Sequence, residues 1–118
     1  MNFKETLEFQ KDFKRLFKKY KTLPDDLIVF QKVLNQQPKC AGKNFSILTK
    51  ESGVEIIKAR FFCRSLKRNS LRIIYAYHKK SGDVEFVGIE FIELYFKGNK
   101  EREDEERIKQ YLKKIPKK

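Results

Sequence analysis

Alternation of apolar and basic residues between Ile57 and Arg64 is the feature that most restricts how this 118-residue chain can fold. Successive side chains of a β-strand point to opposite faces of its sheet. One face of this strand would be apolar: Ile57, Ala59, Phe61 and Cys63. The other would carry cations and one aromatic ring: Lys58, Arg60, Phe62 and Arg64. The pattern predicts a sheet with a core on one side and exposed positive charge on the other.

Positive charge is concentrated around this strand. Residues 56–80 contain eight basic side chains and no acidic one, in a chain with a formal net charge of +12. Such a balance favours a polyanionic partner: nucleic acid, the ribosome or an acidic protein. A basic sheet face with an interleaved Phe suits phosphates and bases. The alternative is a solvated strand face in a lysine-rich protein.

Composition and length predict a single domain spanning residues 1–118. Hydrophobic residues make up 40% of the chain, but no stretch approaches the roughly 20 apolar residues of a membrane span. The N-terminus shows no signal peptide, so a cytoplasmic protein without membrane contact is expected. Cys40 and Cys63 are expected as reduced thiols, with a disulfide left open. Neither has metal-ligand spacing, and we expect no metal or cofactor.

Periodicity predicts the order β-α-α-β-β-β-α. A short first strand (residues 2–7) precedes two helices, with apolar stripes at Phe9, Phe13, Leu16, Phe17 and Tyr20 and at Leu27, Phe30, Val33 and Leu34. Thr22 can cap the second helix. Phe45, Ile47 and Leu48 fit either a short helix or an edge segment.

Three strands and a helix complete the prediction, at residues 54–63, 71–77, 84–96 and 100–114. A hairpin turn is expected at residues 80–83. Out-of-step glutamates (Glu85, Glu90 and Glu93) suggest either a bulge in the last strand or a strand buried on one face for part of its length. The fold class is therefore α+β, with an N-terminal helical hairpin packed on an antiparallel sheet of about four strands. The acidic run at 101–106 suits a helix N-terminus.

Two segments carry a family resemblance: EIIKARFFCRSLKRNSLRIIYAY and IEFIELYFKGNKERED. With the element order, they resemble the RelE/ParE superfamily of toxins from type II toxin–antitoxin systems. The resemblance implies a partner, a cognate acidic antitoxin, with operator DNA bound only through the toxin–antitoxin complex. RelE-like members bind the ribosomal A site and cleave mRNA there, whereas ParE-like members inhibit DNA gyrase. The expected function is a ribosome-dependent mRNA endoribonuclease. The alternatives are a gyrase inhibitor or a catalytically inactive binding protein.

The resemblance also implies site residues. Lys58 matches a lysine of the second strand, Arg72 an arginine of the third, and Lys97 or Lys100 a cation after the last strand. Two departures accompany these matches. Ile56 stands where another lysine occurs, and a tyrosine near the last helix is missing, for which Tyr95 is a conjectural substitute.

Chemistry assigns a hypothetical role to each candidate. Lys58, with a pKa lowered by neighbouring cations, would help deprotonate the 2′-hydroxyl, while Arg60 and Arg72 hold the scissile phosphate. Arg64, Lys67 and Arg68 would bind flanking phosphates, and Phe62 would stack on a base or dock an antitoxin side chain. His78 is expected as a solvated turn histidine. Core positions are expected for three tyrosines: Tyr75, Tyr77 and Tyr111.

Overall fold

The computed structural model describes residues 2–38, 42–51, 53–66, 70–78 and 88–115. Within these ranges the elements are β1 (Asn2–Glu5), α1 (Leu7–Phe17), α2 (Leu23–Gln36), β2 (Phe45–Glu51), β3 (Val54–Phe61), β4 (Leu71–His78), β5 (Gly88–Phe96) and α3 (Glu105–Lys113). The predicted α+β class and helical hairpin are confirmed. The predicted turn at 80–83 and the start of the last strand lie outside the described residues.

The sheet has five strands in the order β1-β5-β4-β3-β2. β2 to β5 pair antiparallel as predicted, whereas β1 pairs parallel with β5, so the sheet is mixed and has one strand more than the approximate four expected. The additional strand is the segment from Phe45, which takes the edge position. Its alternation is hidden because the strand is largely exposed and its register shifts between Ile47 and Thr49.

The main core lies between the helical hairpin and one sheet face. The apolar face predicted for β3 packs there, and aromatic pairs join the layers, with ring centroids 5.3 Å apart for Phe9 and Phe91 and 5.4 Å apart for Phe30 and Phe61. Tyr75 is fully buried and Tyr77 partly buried against the same core, as predicted. Phe17 and Val33, however, are exposed rather than core residues.

The predicted bulge in β5 is confirmed. The pairing with β4 passes from Ile74 opposite Glu93 to Tyr75 opposite Phe91, which leaves Ile92 without a partner. An extra residue makes two successive side chains face the same way. Ile92 therefore packs in the second apolar cluster, and Glu93 reaches the segment before α3 instead of entering the main core.

The opposite sheet face is only partly covered. Ile108 of α3 packs with Ile56, Ile74 and Ala76 there. The helix begins at Glu105 rather than at residue 100, because the Asp104 side chain caps it by accepting the Arg107 backbone N–H at 3.0 Å. Residues 97–104 are consequently a loop, which lies beside the uncovered part of the sheet.

Two charged side chains close the edge of β5 where β1 has ended. β1 reaches only as far as Phe91. Beyond it, Asp12 accepts the Leu94 N–H at 3.1 Å, and Arg107 donates to the Ile92 carbonyl at 3.0 Å. Asp12 is buried, and an Arg107 guanidinium N–H donates to its carboxylate at 2.6 Å. This pair joins α1, β5 and α3 and satisfies backbone groups that have no strand partner.

A second buried carboxylate, Asp26, fixes the start of α2. It accepts the hydroxyl of Thr22 (2.7 Å) and both the backbone N–H (3.1 Å) and Nε (2.9 Å) of Arg64. Thr22 occupies the predicted cap position, but its hydroxyl bonds to Asp26 instead of a helix N–H. Burial raises the pKa of Asp26, yet these hydrogen bonds outweigh burial and hold it below the ordinary 3.8.

The lowered pKa of Asp26 predicts an acid-dependent contribution to stability. A carboxylate with a depressed folded-state pKa stabilises the fold above its unfolded value, and this stabilisation is lost as pH falls through the folded value. Asp26→Asn should lower the free energy of unfolding at pH 7 and flatten its decline between about pH 4 and pH 2. Urea denaturation at stepped pH measures this. Asp25→Asn, at a side chain 75% exposed, is the control, and equal pH curves for the two variants would contradict the assignment.

Candidate functional site

A concave pocket of about 330 Å³ opens on the uncovered face of the sheet. We call it the cation pocket; its lining residues are Lys43, Asn44, Ser46, Leu48, Lys58, Ala59, Arg60, Arg72, Arg102 and Glu103. They come from the β2 edge, β3, β4 and the loop before α3. Five are cations and one is an acid. The structure thus brings together Lys58, Arg60 and Arg72, the three residues predicted to be catalytic.

Arg60 and Arg72 form the centre of this pocket. They are directly opposite each other on β3 and β4, where facing side chains lie about 5 Å apart. Like charges in this position destabilise a sheet. Arg72 is held by donating to the Ser70 hydroxyl at 2.7 Å, whereas the Arg60 guanidinium makes no hydrogen bond or ion pair within the described residues. Two adjacent guanidinium groups without a carboxylate between them are suited to an anionic ligand.

Lys58 pairs with a carboxylate that the sequence reading had assigned to a helix terminus. Its ammonium donates to Glu103 at 3.0 Å. Burial lowers the pKa of Lys58, but Glu103 and the neighbouring Tyr95 more than offset this and raise it above its usual value. Burial raises the pKa of Glu103, which its hydrogen bonds and Lys58 bring below the ordinary range. The prediction of a lowered pKa for Lys58 is therefore wrong, because Glu103 supplies the opposite charge.

Tyr95 lies beneath the cations, next to Arg72 in the sheet register. Its hydroxyl is buried beside the Lys58 ammonium without meeting hydrogen-bond geometry, and the Lys100 ammonium lies 5.3 Å from its ring centroid. Burial raises the pKa of Tyr95, against the opposing effect of Lys58. Tyr95 is thus a neutral, buried residue that lies next to Lys58 without lining the pocket.

The remaining predicted binding residues lie outside the cation pocket. Arg64 is not on the cationic face, because β3 ends at Phe61 and the guanidinium pairs with Asp26 of α2. Phe62 is 66% exposed but does not line the pocket. Lys97 is exposed in the turn after β5, and Lys100 pairs with the buried Glu93. Lys67 and Arg68 lie outside the described residues.

Besides Ala59, which was predicted on the apolar face of β3, the sequence analysis missed six lining residues: Lys43, Asn44, Ser46, Leu48, Arg102 and Glu103. The first four belong to the segment whose edge position it left open. Glu103 was assigned, with its acidic neighbours, to the start of a helix, because negative charge at a helix N-terminus is favourable and explains such a run on its own. The usable signal was Asp104, an N-cap residue with Glu at the two following positions, which places Glu103 before the helix.

A larger cleft of about 760 Å³ lies between the start of α1 and the later turns of α3. Here the Tyr111 hydroxyl donates to Glu90 at 2.7 Å and accepts from Nε2 of His78 at 2.7 Å. His78 is half-buried and not the solvated turn residue expected, whereas Tyr111 packs on the second apolar cluster as predicted. Burial and Lys4 lower the pKa of His78 despite Glu90. The Tyr111 hydroxyl, Glu90 and His78 thus bond to one another.

The described residues contain no group of three or more His, Cys, Asp or Glu side chains arranged to hold a metal ion. Among the helices in the described ranges, none has the length and apolar character needed to cross a membrane. Cys63 is a buried free thiol, and Cys40 lies outside the described residues.

Comparison with known proteins places the fold. No family model and no curated protein matches the sequence. The fold is nevertheless similar to that of a solved toxin structure, which confirms the fold implied by the sequence resemblance. The similar structure is a YoeB/ParE toxin from Agrobacterium tumefaciens, with a TM-score of 0.51 and 15% sequence identity. The match covers 81% of this chain and 98% of that chain, and at this identity it establishes the fold alone.

Proposed function

We propose that this protein is the toxin of a type II toxin–antitoxin system and cleaves mRNA on the ribosome, with the cation pocket as its active site. The fold of a YoeB/ParE toxin supports the toxin class. The observation that carries the activity is the facing pair Arg60 and Arg72, joined in one pocket by the ion pair of Lys58 and Glu103. Cations and a carboxylate suffice for RNA cleavage by the neighbouring 2′-hydroxyl.

The arginines bind the scissile phosphate. Attack by the 2′-oxygen forms a five-coordinate phosphorus whose equatorial oxygens gain negative charge. Preorganised donors aimed at that charge lower the barrier, because they need not reorganise during the reaction. Arg72, already oriented by Ser70, meets this requirement, and the guanidinium of Arg60, which has no side-chain partner among the described residues, is available to bind the same phosphate.

Glu103 and Lys58 provide the proton transfers. The Glu103 carboxylate accepts the 2′-hydroxyl proton as the oxygen–phosphorus bond forms, and the Lys58 ammonium donates a proton to the departing 5′-oxygen. The products are a 2′,3′-cyclic phosphate and a 5′-hydroxyl. Glu103 is then protonated and Lys58 neutral, and their 3.0 Å contact returns the proton directly. This assignment makes Lys58 the acid, since its raised pKa keeps it charged.

The partners follow from the same surface. The ribosome and mRNA present phosphates to a protein of net charge +12, which favours rapid association at low ionic strength. A cognate acidic antitoxin would place carboxylates where Glu103 now meets Lys58, and so block the phosphate position.

Replacing either central arginine should reduce cleavage strongly without unfolding the protein. Arg72→Met and Arg60→Met remove one charge-stabilising donor each, a loss of about 10²- to 10³-fold in the cleavage rate. Methionine keeps a long, unbranched side chain and removes only the charged group, so stability should change little. The measurement is primer extension on a reporter mRNA after induced expression. Lys32→Met, on the exposed side of α2, is the matched control and should cut like the wild type.

The outcomes separate the candidate activities. Growth arrest with codon-phased cuts that disappear in Arg72→Met supports the proposal. Arrest with intact mRNA would overturn the ribonuclease and favour a bound target such as gyrase. Cleavage that persists in both arginine variants would remove the cation pocket as the active site.

A further inference from the structure

Glu93 is the most deeply buried carboxylate near the cation pocket, with 1% of its side chain exposed, yet it does not line the pocket. The β5 bulge turns it away from the main core. Its Oε1 accepts the Asp104 backbone N–H at 2.8 Å, and its Oε2 pairs with the Lys100 ammonium. Both oxygens therefore bind the loop of residues 97–104. A buried carboxylate keeps its charge only when hydrogen-bonded and paired in this way.

That loop carries the acid of the site. Asp104, whose N–H Glu93 holds, directly follows Glu103, and Arg102 precedes it. On its other side Asp104 caps α3, so the loop is fixed between a buried carboxylate and a helix end. The residue type at position 98, in the turn where the loop starts, is restricted too, because a Cβ at Gly98 would clash with the Phe96 ring.

We propose that Glu93 is the positioning residue of the cation pocket: it holds the 97–104 loop so that Glu103 and Arg102 face Lys58. The inference rests on the proposed function for its catalytic consequence, but its structural part stands on the hydrogen bonds alone. Groups that orient reacting residues typically change activity by about 10- to 100-fold when removed. Glu93 acts through Glu103 and touches no substrate.

Three variants test this role. Glu93→Leu removes both loop contacts, Glu93→Gln keeps an acceptor for the Asp104 N–H, and Lys100→Met removes the second contact by a change at a side chain that is 40% exposed. Circular dichroism establishes first that each variant is folded. The first readout is the pKa of the Glu103 carboxyl by carbon-detected NMR titration of the protein without RNA. The second is the separation of kcat from KM in mRNA cleavage.

We expect Glu93→Leu to raise the pKa of Glu103 towards its ordinary 4.5 and to lower kcat about 10- to 100-fold with a smaller change in KM. Glu93→Gln should restore much of both, and Lys100→Met should shift the pKa of Glu103 in the same direction. An unchanged Glu103 titration in Lys100→Met and in every folded Glu93 variant would overturn the proposal. If the wild type cuts no RNA, the titration still decides the positioning role, so the two failures are distinguishable.

Discussion

Asp12→Ala is expected to remove about 3–5 kcal/mol from the free energy of unfolding, because it leaves a partly buried cation without its buried carboxylate and a backbone donor without its acceptor. Arg107, 22% exposed, would lose its carboxylate, and the Leu94 N–H would lose its acceptor at the unpaired edge of β5. Small domains have only about 5–15 kcal/mol of stability. The variant should therefore be largely destabilised at 37 °C. Urea denaturation at pH 7 gives the value.

Two controls separate the mechanism from general damage to α1. Asp12→Asn keeps an oxygen for the Leu94 N–H and should cost less than alanine. Asp25→Ala removes an exposed carboxylate near α2 and should change stability by less than about 0.5 kcal/mol. A loss below about 1 kcal/mol in Asp12→Ala, the size of an ordinary hydrogen bond, would contradict the edge-closing role.

The elements that could be predicted from the sequence are those with one face buried in the core and the other face exposed. Strand β3 alternates from Ile57 to Phe61, and α2 shows a stripe through Leu27 and Phe30; both periodicities arise because one face is buried. Edge strand β2 is exposed on both faces and bulged, so burial imposes little pattern on it. Its identification requires the neighbouring strand.

Of the residues of the candidate site, only those on the central strands of the sheet were predicted from the sequence. Lys58, Arg60 and Arg72 share a face by period-two geometry and register, and both can be inferred from the sequence. The position of Glu103 depends on where α3 begins, which the Asp104 cap sets, and the Asp104 N–H bonds to Glu93, a residue that the bulge turns towards the loop. Glu93, out of step with the alternation of β5, indicated the bulge, but no local sequence rule links it to the loop of residues 97–104. The pKa of Lys58 was therefore predicted in the wrong direction.

Glu103→Gln gives the sharpest test of the proposed chemistry, since binding and cleavage should move in opposite directions. The carboxylate pairs with Lys58 in the free protein and repels an RNA phosphate bound by the two arginines beside it. Glutamine removes this competing charge, and RNA should bind more tightly. Loss of a general base slows the chemical step by about 10²- to 10⁴-fold. Fluorescence anisotropy with an uncleavable 2′-deoxy oligonucleotide measures binding, and single-turnover cleavage on programmed ribosomes measures the chemistry.

The pH dependence identifies which group is lost. In the wild type, Glu103 has a pKa below the ordinary 4.5 and Lys58 a pKa above 10.5, so the cleavage rate should be level through neutral pH and fall only at the extremes. Glu103→Gln should abolish the acid limb and leave the alkaline limb of Lys58. Glu106→Gln, at the exposed start of α3 and outside the pocket lining, is the matched control. Tighter binding with unchanged cleavage would show that Glu103 only guards the phosphate position, and the base would then have to lie elsewhere.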